Sequence, residues 1–295
     1  MNANCLVCRK ESSLYFHSRD YNRKITPETF DYFQCKSCGL IFLSPIPNDL
    51  GKYYPDNYYS IPFSINGLAK AAQLERYKID VVKKFAAGGR LLEIGPAYGS
   101  FIYLAKEAGF DAEAIEMDSN CCKFISDAMS VRVIQSNDPY EALQQVDNYH
   151  VIALWHVIEH LPDPWKILEA IANKLLPGGI LVIAAPNPKA FQFRVLGRFW
   201  PHVDAPRHVN LIPLSLLDKQ MQSYGLIKVW SSTTDKGTLG WNTFGWVYFL
   251  TNLSNSRYGK TMLALIGRIV SILLAPIERM KGLGSAYTVV YRREK

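Results

Sequence analysis

Short, mainly apolar runs alternate along this chain with longer segments in which apolar positions recur every three or four residues. The runs are Leu91 to Ile94, Ala112 to Ile115, Val131 to Ile134, Val151 to Trp155 and Gly178 to Asn187. Runs this short, with little polar alternation, predict strands buried on both faces, and the helix-forming segments between them predict a parallel sheet covered on both sides. Downstream, Leu214 to Tyr224 predicts a helix stopped by Gly225, Ile227 to Ser231 a sixth strand and Tyr287 to Tyr291 a last one. Upstream, Leu68, Ala71, Ala72, Leu74, Ile79, Val82 and Phe85 predict one helix from Gly67 to Phe85 that leads into the first strand and covers the ligand pocket behind it.

The first strand runs into Gly95-Pro96-Ala97-Tyr98-Gly99-Ser100 and then into a helix. Dinucleotide sites share this plan but ask for glycine at the second and third positions of G-x-G-x-x-G, where the backbone closes on a pyrophosphate. Here the matching residues are Gly95, Ala97 and Ser100, and the methyl group of Ala97 crowds a diphosphate while leaving room for a ligand that has none, such as S-adenosylmethionine. Glu116 lies about 20 residues past the turn, where a carboxylate accepts from ribose hydroxyls. Ser136-Asn137-Asp138 ends the third run at the edge where an adenine amine would be met.

With E-I-G-P-A-Y-G at 93 to 99 and I-E-M-D at 115 to 118 stand W-H-V-I-E-H-L-P-D-P at 155 to 164, L-P-G-G at 176 to 179 and P-R-H at 206 to 208. Together they resemble the class I S-adenosylmethionine-dependent methyltransferases, in the small-molecule branch of ubiquinone-type and sugar methyltransferases. The resemblance covers roughly residues 85 to 235 plus the last strand. It implies a doubly wound α/β fold with a seven-stranded, mostly parallel sheet and an antiparallel pair at one edge. It also implies that Gly95 and Gly99 line the methionine end of the cofactor, that Glu116 holds the ribose, that Met117 lies against adenine and that Asp138 meets its amine. Glu93, Pro96, Ala97, Tyr98, Asn137 and Trp155 complete the expected cofactor contacts. The chain departs from many members in starting its fourth strand with Tyr149-His150 rather than Phe-Asp.

Two C-x-x-C pairs, Cys5/Cys8 and Cys35/Cys38, give four thiolates that suit tetrahedral zinc with no open position, a structural rather than a catalytic ion. Disulfides or redox thiols are the alternative reading of the same residues. Cys121 and Cys122 read as ordinary buried thiols. Three parts follow: a zinc-ribbon-like module over 1–50, a tyrosine-rich connection and covering helix over 51–85, and a methyltransferase domain over 86–295 with an apolar helical insertion at about 237–284. Tyr53, Tyr54, Tyr58 and Tyr59 either stack at the rim of the site or glue the parts together.

A methyl transfer from a sulfonium is an in-line displacement, so the enzyme mainly positions the nucleophile and takes its proton. His156, His160 and His208 are the candidate bases, the first two at the carboxyl edge of the fourth strand and the third on a loop after the fifth. His156, Glu159 and His160 could also collect a divalent metal. Trp155, Phe199 and Trp200 line the acceptor pocket or fill the core, and His17, His150 and His202 carry no functional signal.

At 295 residues, 48% apolar and 20% charged, the chain is globular. Its formal charge of +7 favours anionic partners, yet no basic run of five or six residues marks a nucleic-acid arm. Met1 to Cys5 has neither a charged leader nor an apolar core, which predicts a cytoplasmic protein. Met262 to Pro276 is nearly all apolar and flanked by Lys260, Arg268, Arg279 and Lys281; it lies on an anionic membrane surface or packs on the core or a second subunit. The expected function is methyl transfer to a small-molecule or glycan-like acceptor, lipid-linked in one version. An RNA methyltransferase and a non-catalytic zinc-containing scaffold are the alternatives, and the oligomeric state is open.

Overall fold

The computed structural model describes residues 2–55 and 58–294, so Asp56 and Asn57 of the tyrosine-rich connection lie outside the described residues. The N-terminal segment forms four strands joined antiparallel: β1 (Asn2–Asn4), β2 (Glu11–Arg19), β3 (Thr29–Gln34) and β4 (Ile41–Leu43). A fifth strand comes from far along the chain, where Asn210 and Leu211 pair with Phe42 and Ile41.

The single helix expected over 67–85 is two, α1 (Ile65–Leu74) and α2 (Tyr77–Val82). In a continuous helix Val81 would point away from the stripe defined by Leu68, Ala72 and Ile79. The break at Glu75-Arg76 lets Val81 and Val82 both be buried.

The remaining elements are β5 (Gly89–Ile94), α3 (Ser100–Glu107), β6 (Phe110–Glu116), α4 (Ser119–Met129), β7 (Arg132–Gln135), α5 (Pro139–Gln144), β8 (Tyr149–Trp155), α6 (Pro164–Lys174), β9 (Leu175–Pro186), α7 (Phe191–Leu196), β10 (Asn210–Leu211), α8 (Leu214–Ser223), β11 (Leu226–Ser232), α9 (Lys236–Thr251), α10 (Arg257–Glu278) and β12 (Ala286–Arg293). They build a seven-stranded sheet of order β11-β12-β9-β8-β5-β6-β7, parallel except that β12 runs antiparallel to both β9 and β11. This is the expected α/β fold. Successive residues serve opposite faces: Leu92, Ile94, Ile152 and Leu154 pack with α5, α6 and α8, while Leu91, Val151 and Ala153 pack with α1 to α4. β5 has neighbours that continue in opposite directions, β6 and β8, and the crevice at that switch point opens at the strands' carboxyl ends.

A third apolar cluster joins the N-terminal sheet to the segment after β9, through Tyr32, Leu43, Phe193 and Trp200. The fully buried Arg207 spans the same seam, 2.6 Å from Asp20 and 2.8 Å from Asp204. The Tyr32 hydroxyl donates to the His208 carbonyl at 2.8 Å. The N-terminal module is thus packed firmly against the segment that follows β9.

Candidate functional site

Three residues in the turn after β5 have left-handed backbones: Gly95 (φ 70°), Ala97 (φ 51°) and Gly99 (φ 87°). A Cβ on Gly99 would come within 2.8 Å of Met129 Cε and 2.9 Å of Ile125 Cγ1, so handedness and the packing of α4 both demand glycine there. On Gly95 a Cβ would meet Val157 Cγ2 at 2.7 Å. Ala97 tolerates its conformation because its N–H donates to Glu116 Oε2 at 2.9 Å. The other carboxylate oxygen of Glu116 accepts from the N–H groups of Met117 at 2.8 Å and Asp118 at 2.9 Å. Burial pushes the Glu116 carboxyl above its ordinary range, and these three N–H groups pull it back. Glu116 therefore clamps the glycine turn as well as facing the crevice, a role that spacing alone does not reveal.

A cavity of about 660 Å³ fills the crevice. Gly95, Ile115, Glu116 and Met117 form its floor, Ser136, Asn137 and Pro139 one end, His156, Val157 and His160 the other, and Tyr54, Tyr58 and Tyr59 part of its wall. Asp138 stands between Asn137 and Pro139 at the first of these ends and has a second role. Its Oδ1 accepts from the Tyr140 N–H at 2.9 Å and caps α5, because an aspartate before Pro139 is a natural helix cap. Pro96, Ala97, Tyr98 and Gly99 continue the turn from Gly95, which borders the cavity.

Behind the turn, Glu93 Oε2, Ser100 Oγ and Trp155 Nε1 are buried polar atoms without partners. Unpaired buried donors and acceptors are costly, and in this position they suit a zwitterionic ligand end such as that of S-adenosylmethionine. Burial holds the Glu93 carboxyl up at about 8, although the ammonium of Lys78 on α2 draws it down. Lys78 also lies 5.6 Å above the Trp155 ring. Sequence reasoning missed Lys78; only the bend after α1 turns it inward.

The other end of the cavity carries the histidines. His156 has a left-handed backbone (φ 59°), and its ring lies 4.5 Å from that of Trp241 on α9. Burial and then the Lys78 charge lower it to about 3. His160 Nδ1 is 2.9 Å from the Tyr54 hydroxyl and 3.1 Å from the Arg207 carbonyl, and its ring meets that of His208 at 4.5 Å, nearly perpendicular. Burial and the neighbouring His208 lower His160 to about 4. Both are therefore neutral near pH 7, the form that accepts a proton.

Glu159, His160 and His208 have ligand atoms within 4.8 Å of one another; of the expected trio with His156, the His156–Glu159 pair is close, at 3.5 Å. Glu159 is fully buried; neither carboxylate oxygen makes a hydrogen bond, and the nearest charge partner is His156, whose Nδ1 is 3.5 Å from Oε1. His208 Nδ1 is bonded to the His202 carbonyl at 2.8 Å, and His208 stands behind His160 rather than in the cavity wall. His202, read from the sequence as featureless, is buried between Trp200 at 4.9 Å and Trp241 at 5.4 Å. Trp200 itself is core, whereas Phe199 is exposed and leans on Tyr21.

In the N-terminal module the sulfurs of Cys5 and Cys38, and of Cys8 and Cys35, are 3.5 Å apart, and all four ligand atoms lie within 4.8 Å. A disulfide needs about 2.05 Å, whereas Zn–S bonds of about 2.3 Å set tetrahedral edges of roughly 3.8 Å. The cluster thus fits a zinc ion.

The methyltransferase-domain family profile matches residues 70–230, more than half of the chain. The chain therefore belongs to the methyltransferase family, in its S-adenosylmethionine-dependent class. It is similar to the ubiquinone biosynthesis O-methyltransferase of Psychrobacter arcticus, 29% identical over 124 residues that make up 38% of this chain and 47% of that protein. The chain spans about half the length of the curated relatives it matches. In fold it resembles a SAM-dependent methyltransferase from Archaeoglobus fulgidus (TM-score 0.51, 17% identity, covering 75% of this chain and 94% of that one). It also resembles a cyclopropane synthase from Mycobacterium tuberculosis (TM-score 0.53, 12% identity, covering 76% and 85%).

Proposed function

We propose that this protein transfers the methyl group of S-adenosylmethionine to a hydroxyl of a small-molecule or glycan-like acceptor, with a structural zinc ion on Cys5, Cys8, Cys35 and Cys38. The observation that carries the reading is that one cavity joins the Glu116-clamped glycine turn to His156 and His160, with the buried Glu159 beside both. Bound there, the cofactor supplies an activated methyl group. Glu116 would hold the ribose hydroxyls, and the free polar atoms of Glu93, Ser100 and Trp155, buried behind the turn, would support the methionine end. Tyr54, Tyr58 and Tyr59 keep water from the crevice.

His160 takes the acceptor proton. It lines the cavity, and the Glu159 carboxylate beside it stabilises the imidazolium as it forms. His208 positions His160 from behind, and His156 orients the acceptor against Trp241. Oxygen is favoured as the methylated atom because proton removal by a histidine matches a hydroxyl, and because the curated relatives are O-methyltransferases.

Calorimetric titration of the zinc-replete protein with S-adenosylhomocysteine comes first, followed by methyl transfer from labelled cofactor to hydroxylated sugars, nucleotide sugars and lipid-linked glycans. Binding and transfer to one of these classes are expected. A well-folded protein that binds no S-adenosylhomocysteine would leave a zinc-containing scaffold as the better account.

A further inference from the structure

We propose that the α9/α10 hairpin docks the protein on an anionic lipid bilayer, with α10 lying along the surface. The hairpin is turned inside out. Its contact seam is made of small and polar residues: a Cβ on Gly267 would lie 2.7 Å from Val247 Cα, and the hydroxyls of Ser271 and Thr243 are 3.0 Å apart. The large apolar side chains of α10 face away from the protein, with Leu265 59%, Ile272 72% and Leu273 70% exposed. Met262, Leu265, Ile269 and Ile272 recur at helical spacing along one stripe of a helix about 33 Å long. A bare apolar stripe of this length marks an interaction surface rather than ordinary exposed leucine.

Charge selects the occupant. Between residues 236 and 285 the basic side chains are Lys236, Arg257, Lys260, Arg268, Arg279 and Lys281, and the one acid, Glu278, is buried. There Glu278 accepts from Gln192 at 2.8 Å and Trp246 at 2.9 Å, which ties the end of α10 to the core. An apolar face with an uncompensated basic border matches anionic headgroups over acyl chains. Arg268 falls mid-helix near the apolar stripe, a position suited to the headgroup level and costly at a bilayer centre, so the helix lies on the membrane instead of crossing it.

Docking also bears on the acceptor, a consequence that rests on the methyltransferase reading above. The first turns of α9 carry Trp241 against His156, so the docked hairpin brings the histidine end of the cavity to the lipid surface and favours a lipid-linked acceptor.

The test is flotation of the full chain with vesicles of phosphatidylcholine alone or mixed equally with phosphatidylglycerol. Flotation with the anionic vesicles only is expected. The combined variant Leu265→Glu, Ile269→Glu, Ile272→Glu should lose about tenfold or more of that partitioning while binding S-adenosylhomocysteine as the wild type does. Equal binding to both vesicle types, or none by a protein that still binds S-adenosylhomocysteine, overturns docking and leaves the methyltransferase reading standing. A dimer that the same substitutions dissolve, without flotation, assigns the face to a second copy and equally overturns it. Flotation by a protein that binds no S-adenosylhomocysteine supports docking and removes the claim about the acceptor.

Discussion

Glu116→Gln changes one atom and separates the two roles of this side chain. Oε1 accepts from Met117 and Asp118 at 2.8 and 2.9 Å, and Oε2 accepts from Ala97 at 2.9 Å. A carboxamide keeps one acceptor oxygen. If that oxygen stays with Met117 and Asp118, the new NH2 group faces the Ala97 N–H, donor against donor, and the left-handed Ala97 loses what holds it. The same NH2 group no longer accepts from a ribose hydroxyl. Hydrogen bonds to a charged group contribute about 1.5–3 kcal/mol each, so a combined loss of roughly 2–3 kcal/mol is expected in cofactor binding, about 30- to 150-fold in Kd. Calorimetric titration with S-adenosylhomocysteine measures it, and a thermal melt of the free protein should fall by a few degrees as the turn loosens. A variant that binds within about twofold of wild type and melts unchanged would refute both the clamp and the ribose contact.

Glu93 makes stability depend on pH. Its folded value of about 8 lies above the ordinary 4.5, so the protonated acid favours the fold fully below 4.5, and that contribution is lost as pH rises through 8. Glu93→Gln stays neutral, so its melting temperature minus that of the wild type should increase between about pH 5 and pH 9; a constant difference would contradict the assignment. His160→Gln should lower turnover by about a hundredfold or more while leaving S-adenosylhomocysteine affinity unchanged, and full turnover would remove His160 as the base. Cys35→Ser should release zinc, measured by metal analysis, and lower the melting temperature; unaltered zinc content would sink the four-cysteine site.

The parallel strands were legible because a strand buried on both faces must be apolar at nearly every position, a purely local signal. Glu116 was legible too, since a strand, a turn and a helix of ordinary length put the next strand's end at a set distance along the chain. The cysteine pairs declared their centre for the same reason: the spacing within each pair is set by one tight turn. The helix break at Glu75-Arg76 was not legible, because it answers to the shape of the core that Val81 and Val82 fill.

Local reading also offered His156, Glu159 and His160 as one group that could collect a metal, since they are close in sequence. His156 keeps Glu159, its Nδ1 3.5 Å from Oε1, while its ring lies against Trp241, and His208, 48 positions beyond His160, closes on Glu159 and His160. Tyr54 reaches His160 across 106 residues, and Tyr32 holds the His208 carbonyl across 176. By itself the sequence determined the sheet, the cofactor turn and the four-cysteine cluster, each encoded by the burial or spacing of neighbours in the chain. Which histidines stand together, which tyrosine reaches them, and which side of α10 is left bare were decided by tertiary structure, because those properties depend on surfaces that exist only once distant segments have packed.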